Sequence, residues 1–163
     1  MGDSCKKVKI EKFVKDVKLN CWGGISVNGA TPLHIFKGSL KGTVYQEILE
    51  EHISEMEEPF PDGYYFQHDK HSSHTCEDWI EDHGIEQVQF PTYSPDLSPI
   101  ENLWFTLKDS VAHDVPKTEE QLRKSLQKNW EKLTTRQALR PYFDNLVVRY
   151  GECIEVEGEI LDY

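Results

Sequence analysis

Ser94-Pro95-Asp96-Leu97-Ser98-Pro99-Ile100-Glu101-Asn102-Leu103-Trp104 passes from extended chain to helix within eleven residues. Pro91, Pro95 and Pro99 each fix a backbone angle and remove a donor, which keeps the approach extended. Beyond them Ile100, Leu103, Trp104, Leu107 and Val111 recur at helical spacing, predicting a helix from about Ile100 to His113 with one buried stripe. Glu101 falls in its first turn, where the unsatisfied amides favour a negative charge. Upstream, Tyr64-Tyr65-Phe66-Gln67 reads as a short buried strand that ends at Asp69, with 31 residues between Asp69 and Glu101. A helix over Cys76–Asp82, stopped by Gly84, and a strand over Ile85–Phe90 fill that gap and return the chain to the same sheet edge.

Working outward, Val17–Ile25 alternates enough to form a strand. Asn28-Gly29 between two apolar runs signals a hairpin, with Leu33–Phe36 returning. Val44, Ile48, Leu49, Ile53 and Met56 line one face of a helix over Thr43–Met56. Thr118 to Gln121 is a capping box that opens a helix carrying Leu122, Leu126, Trp130 and Leu133. A last helical piece lies near Pro141–Val147. The order is that of an α/β domain, a mixed sheet with helices on its faces. The strand before Asp69 is apolar on both faces and belongs inside the sheet.

The 163 residues suit a single core. Net charge is -11, yet residues 1–19 hold six Lys against three acids, so the remainder carries -14. Such a balance argues against nucleic-acid contact over the whole surface and leaves room only for local contact. This gives a Lys-rich arm over 1–17, a domain over 18–150 and an acidic tail over 151–163. Four dispersed cysteines without CxxC spacing point to reduced thiols. With no apolar run near membrane-spanning length and no signal peptide, the expectation is a soluble intracellular protein.

Asp69 and Glu101 have two readings each. As metal ligands, they would hold hard divalent cations through oxygen, as a two-metal phosphodiester site requires. As local structure, Asp69 is a turn former and Glu101 a partner of the helix dipole. His68, His71, His74 and Cys76 crowd together but fit no common zinc spacing. Trp104, Phe105, Trp130 and Tyr142 read either as base-stacking surface or, by their helical spacing, as core. Lys108 is either a DNA contact or a surface lysine.

The run Ser94–Trp104, followed by Leu107-Lys108, resembles a motif of mariner-superfamily DNA transposases. Gln67-His68-Asp69 with His74, and Trp22-Gly23-Gly24-Ile25-Ser26 with Gly29 and Leu33, extend the resemblance from about Lys18 to the C-terminus. It implies an RNase H-like catalytic domain with a DDE or DDD triad, in which Asp69 is the second acid, Glu101 the third and His74 an auxiliary residue. Asp69 and Glu101 would then bind Mg²⁺ or Mn²⁺. The implied partner is DNA, at transposon ends, with a homodimer possible. The implied compartment is the nucleus in a eukaryote and the cytoplasm otherwise. Three departures stand out. Lys70 replaces an Asn, Asp96-Leu97-Ser98 alters a turn, and the Asp69–Glu101 spacing is short. The family's first acid lies on its first strand, well before the Trp-Gly segment. Only Asp3 and Asp16 precede Trp22, Asp3 in a polar start without an apolar strand around it. The resemblance therefore implies a first strand that is missing or replaced by residues 5–14. The family's helix-turn-helix region has no counterpart in the sequence. The expectation is a site one acid short, inactive alone, with a repurposed protein-interaction module as the alternative.

Overall fold

A computed structural model describes residues 2–3, 6–8, 17–38, 40, 42–57, 63–68, 77–88 and 94–157, with backbone alone at 2–3, 6–8, 53–57 and 77. The strands and helices follow in the order β1 Gly2–Asp3, β2 Lys6–Val8, β3 Leu19–Trp22, β4 Gly24–Ser26, β5 Gly29–Ala30, β6 His34–Phe36, α1 Gly42–Glu57, β7 Tyr65–His68, α2 Glu77–Asp82, β8 Glu86–Gln87, a 3₁₀ turn Pro95–Leu97, α3 Pro99–Asp114, α4 Glu119–Leu133 and α5 Arg136–Glu155.

One sheet runs β5-β4-β1-β7-β8, and a second runs β2-β3-β6. The pairings of the two are in phase. β1 pairs with β4 and β2 with β3 in a single antiparallel register, from Gly2 opposite Ile25 to Val8 opposite Leu19. β7 lies parallel to β1, and β8 parallel to β7. The strand before Asp69 is therefore interior, as its apolar run requires. Across β4–β5 and β3–β6 the register slips by one residue, because Ile25 faces Ala30 while Trp22 faces His34. The extra residue is a bulge within Thr31–Leu33, where Pro32 has no N–H to give a ladder. The Thr31 amide donates to the Gly24 carbonyl at 2.9 Å and its hydroxyl oxygen accepts from the Gly24 amide at 2.9 Å, pinning the slip.

The hairpin expected at Asn28-Gly29 is present, with its turn one residue earlier. Ser26 pairs with Gly29, and Ser26 Oγ accepts from the Asn28 amide at 3.1 Å. α1, β7, α2 and α3 fall where the periodicity puts them. α4 opens as expected, with the Gln121 amide donating to Thr118 Oγ1 at 3.2 Å. The Gln121 side chain reaches one residue further back than a capping box predicts, accepting from the Lys117 amide at 2.8 Å. The expected last helical piece extends far beyond Pro141–Val147, since α5 runs 20 residues and carries Pro141 inside it. β8 is shorter than the strand expected over Ile85–Phe90, and residues 89–90 lie outside the described residues.

Side chains of β3 and β4 alternate between two cores. Leu19, Cys21 and Ile25 join Leu103, Trp104, Leu107, Leu126 and Trp130 under α3 and α4. Trp22 joins Tyr45, Ile48, Leu49, Phe66 and Ile80 under α1 and α2. Trp104 and Trp130 stack at 5.2 Å inside the first core, which settles them as core residues. Phe105 is the exception to the core expectation, at 76% exposure. It stands one residue off the apolar stripe of α3, turned about 100° from Trp104.

Gly23 lies on the face that meets α4. A Cβ there would come within 2.6 Å of the Trp130 ring, whose Nε1 donates to the Thr31 carbonyl at 2.9 Å. The glycine of the Trp-Gly-Gly run is thus a seat for an indole, which also braces the bulge. Gly23→Ala should cost about 1–3 kcal/mol through overpacking. In a Trp130→Leu background the same substitution should cost under half as much, measured as a double-mutant cycle by urea denaturation. An unchanged penalty would mean that Trp130 is not the obstacle.

Candidate functional site

Three backbone elements converge where β1, β7 and α3 meet. β7 ends at His68, which is buried and held on both ring nitrogens. Gln87 Oε1 can only accept, so His68 Nε2 donates to it at 3.1 Å. His68 Nδ1 is then left to accept from the Tyr45 hydroxyl at 3.3 Å. The His68 and Tyr45 rings lie parallel, 6.2 Å apart. His68 is therefore a core histidine that ties β7 to α1 and β8, and it is not available as a zinc ligand. Asp69, Lys70, His71, His74 and Cys76 lie outside the described residues.

The sequence places Asp3 in an unpromising polar start. The backbone shows otherwise. Gly2–Asp3 is a strand bonded on both sides, with Asp3 opposite Gly24 of β4 and opposite His68 of β7. Two residues suffice because both edges of the strand are paired, so no apolar run is needed to hold it. The first strand was expected to be missing or replaced by residues 5–14; Lys6–Val8 lies within that range and pairs with β3, and Gly2–Asp3 precedes it, between β4 and β7. Asp3 thus stands beside the residue that precedes Asp69. Asp16 lies outside the described residues.

Glu101 sits in the first turn of α3, partly buried, after Ser98 as N-cap and Pro99 at the first helical position. α3 packs against β1, so Glu101 and Asp3 belong to neighbouring elements. The approach to Glu101 is clamped from α5. The buried Arg149 donates to the Asp96 carbonyl at 2.9 Å. With the Asn102 amide turned so that its oxygen faces the guanidinium, Arg149 also donates to it at 2.5 and 2.6 Å. One cation therefore fastens both the Asp96 turn and the residue after Glu101. Sequence reading missed Arg149 because it lies past the expected end of the last helix. The signal was available: Leu139, Phe143, Leu146 and Arg149 continue one helical face.

Lys108, two turns beyond Glu101, is half-buried. Tyr142 packs against the core, with its hydroxyl 3.1 Å from Thr106 Oγ1. At the far end of α3, Asp114 accepts from Ser125 Oγ at 2.6 Å and from Asn129 Nδ2 at 2.8 Å. Those bonds, with Ser125 the larger cause, hold its carboxyl below the usual range. It is a structural acid that joins α3 to α4. Among the described residues no helix is long and apolar enough to cross a membrane.

Chemically, Glu101 offers a carboxylate at a helix start, and the sequence puts Asp3 on the central strand and Asp69 directly after its parallel neighbour. Such oxygen donors suit Mg²⁺ or Mn²⁺ rather than softer ions.

Comparison with known proteins bears on the family and the fold. Residues 5–123 match the model of a family described as DDE superfamily endonuclease, a match that includes Asp69 and Glu101 and begins two residues after Asp3. The chain is 26% identical to the Tc3 transposase of Caenorhabditis elegans over 148 residues, covering 87% of this chain and 45% of that protein. It therefore spans less than half the length of that relative. Its fold matches the Mos1 transposase catalytic domain, in a structure with raltegravir and Mg, at a TM-score of 0.83 and 18% identity, over 99% of this chain and 84% of that one. A Mos1 paired-end complex with the left transposon end matches at 0.75 and 21% identity, over 89% of this chain and 44% of that one. The family match covers most of the sequence, and the fold, shared with the Mos1 catalytic domain, is the RNase H-like one expected: the chain belongs to the DDE superfamily endonucleases.

Proposed function

We propose that this chain is the part of a transposase that cuts and joins DNA strands, with Asp3, Asp69 and Glu101 as its three metal-holding acids. The observation that carries the reading is the ladder that sets Asp3 opposite His68, the residue before Asp69, while α3, with Glu101 in its first turn, packs against the same strand. Expected inactivity rested on the lack of an acid on the first strand and of a DNA-binding region, and Asp3 answers the first of these in this reading. When bound, Mg²⁺ or Mn²⁺ at such a site supplies a water ready to attack phosphorus and neutralises the leaving oxyanion. The chain's own work is to hold the carboxylates still. Strand pairing fixes the Asp3 backbone, Asp69 follows β7 in sequence, and Arg149 steadies the turn that precedes Glu101. His74, five residues after Asp69, is an auxiliary residue in this reading.

The substrate would be transposon-end DNA, handled by a pair of chains, in the nucleus of a eukaryote or the cytoplasm otherwise. That proposal follows the Mos1 complex, which holds paired transposon ends. A second reading is a repurposed remnant that keeps the fold without turnover. The net charge of -11 favours it, because acidic surface repels the DNA backbone.

Mn²⁺ titration of the full chain should show binding that Asp3→Asn, Asp69→Asn and Glu101→Gln each weaken by about tenfold or more. Wild-type affinity in Asp3→Asn would refute the three-acid site. Nicking of supercoiled DNA with Mn²⁺, lost in the same variants, supports the enzyme. Acid-dependent binding without nicking supports the remnant.

Arg149→Met should lower stability by about 2–4 kcal/mol, since it removes charge-assisted bonds from a buried position. Under conditions where the variant is folded by circular dichroism, it should also weaken Mn²⁺ binding. Unchanged Mn²⁺ affinity would mean that the clamp does not position Glu101.

A further inference from the structure

A second group of metal-ligating side chains stands apart from the acids just described. His34 on β6 and the adjacent pair Glu51 and His52 on α1 bring one ligand atom each within 4.8 Å of one another. His34 Nδ1 is 3.7 Å from Glu51 Oε2. The rings are not loose. His52 is buried and stacks on Trp22 at 5.2 Å and 15°, and it meets His34 edge-on at 6.3 Å. His34 also leans on Phe36 at 5.8 Å. Three elements, β3, β6 and α1, therefore hold two imidazoles in fixed orientation around one carboxylate. Glu51 is exposed, which leaves a side open to solvent.

The location separates this group from the acid site. His52 and its stacking partner Trp22 belong to the α1 side of the sheet, and Glu101 belongs to α3, which packs on the other side. The chemistry differs too. Two nitrogens and one oxygen suit a borderline ion such as Zn²⁺, whereas Mg²⁺ prefers oxygen throughout. Neutral imidazole is the form that binds metal. Burial holds the His34 ring towards that form, against the pull of Glu51.

We propose that His34, Glu51 and His52 form a zinc site that fastens the edge strand β6 to α1, with water completing a tetrahedral set. The site needs no part of the transposase reading, since none of its ligands is shared with Asp3, Asp69 or Glu101.

The test is calorimetric titration of the dialysed full chain with Zn²⁺ in the presence of excess Mg²⁺. One Zn²⁺ per chain is expected, with affinity reduced by at least about tenfold in His34→Gln and in Glu51→Gln. Both positions have exposed surface, so the variants should fold, and circular dichroism checks it. Thermal unfolding gives a second measure, because Zn²⁺ should raise the Tm of the wild type and of Glu101→Gln but not of His34→Gln. Wild-type Zn²⁺ affinity in His34→Gln would overturn the proposal. So would binding abolished by His74→Ala, which would move the ion to the His71–Cys76 segment.

Discussion

Gly2 and Asp3 are bonded on both edges, antiparallel to β4 and parallel to β7, and the order of the five-stranded sheet depends on that pairing. Each neighbour supplies backbone partners that a two-residue strand could not find alone. In return β1 joins the hairpin half of the sheet to the parallel half. Without it β4 would have a bare edge, β7 would lose one of its two parallel partners, and α3 would lose one of the strands it packs against. Strand order, parallel sense and the approach of α3 all follow from this one seat.

The helices hold that arrangement from both sides. On one side the Trp130 indole rests on Gly23 and bonds the Thr31 carbonyl, so the bulge and the neighbouring register are fixed by α4. On the other, His68 is held between Tyr45 and Gln87, which fixes the end of β7. Arg149 then reaches from α5 to the turn before Glu101. Each contact comes from far along the chain, yet each ends within a few residues of an acid or its strand.

The legible parts of the fold were those with local causes. α3 was readable because its apolar stripe and preceding prolines are both encoded within twenty residues. The start of α4 was readable from Thr118, and the hairpin from the turn chemistry near Asn28. What escaped has non-local causes. β1 carries no propensity signal, because its stability comes from two distant strands. The bulge shows only when two registers are compared, although Pro32 hinted at it. Arg149 lay beyond the helical piece expected near Pro141–Val147, whereas α5 starts at Arg136, carries Pro141 inside it and runs on to Glu155. For the same reason Asp69 and Glu101 could be named from a motif, while Asp3 needed the ladder, and the His34–Glu51–His52 group needed β6 to be set against α1.

The central claim is that Asp3 completes a three-acid metal site. The most direct measurement is anomalous diffraction at the manganese edge from crystals of the full chain soaked in Mn²⁺. The account predicts manganese peaks within carboxylate-bonding distance of Asp3, Asp69 and Glu101, with the Asp3 carboxylate as a ligand. Manganese bound by Asp69 and Glu101 with the Asp3 carboxylate turned away, or no manganese at this edge, would contradict it.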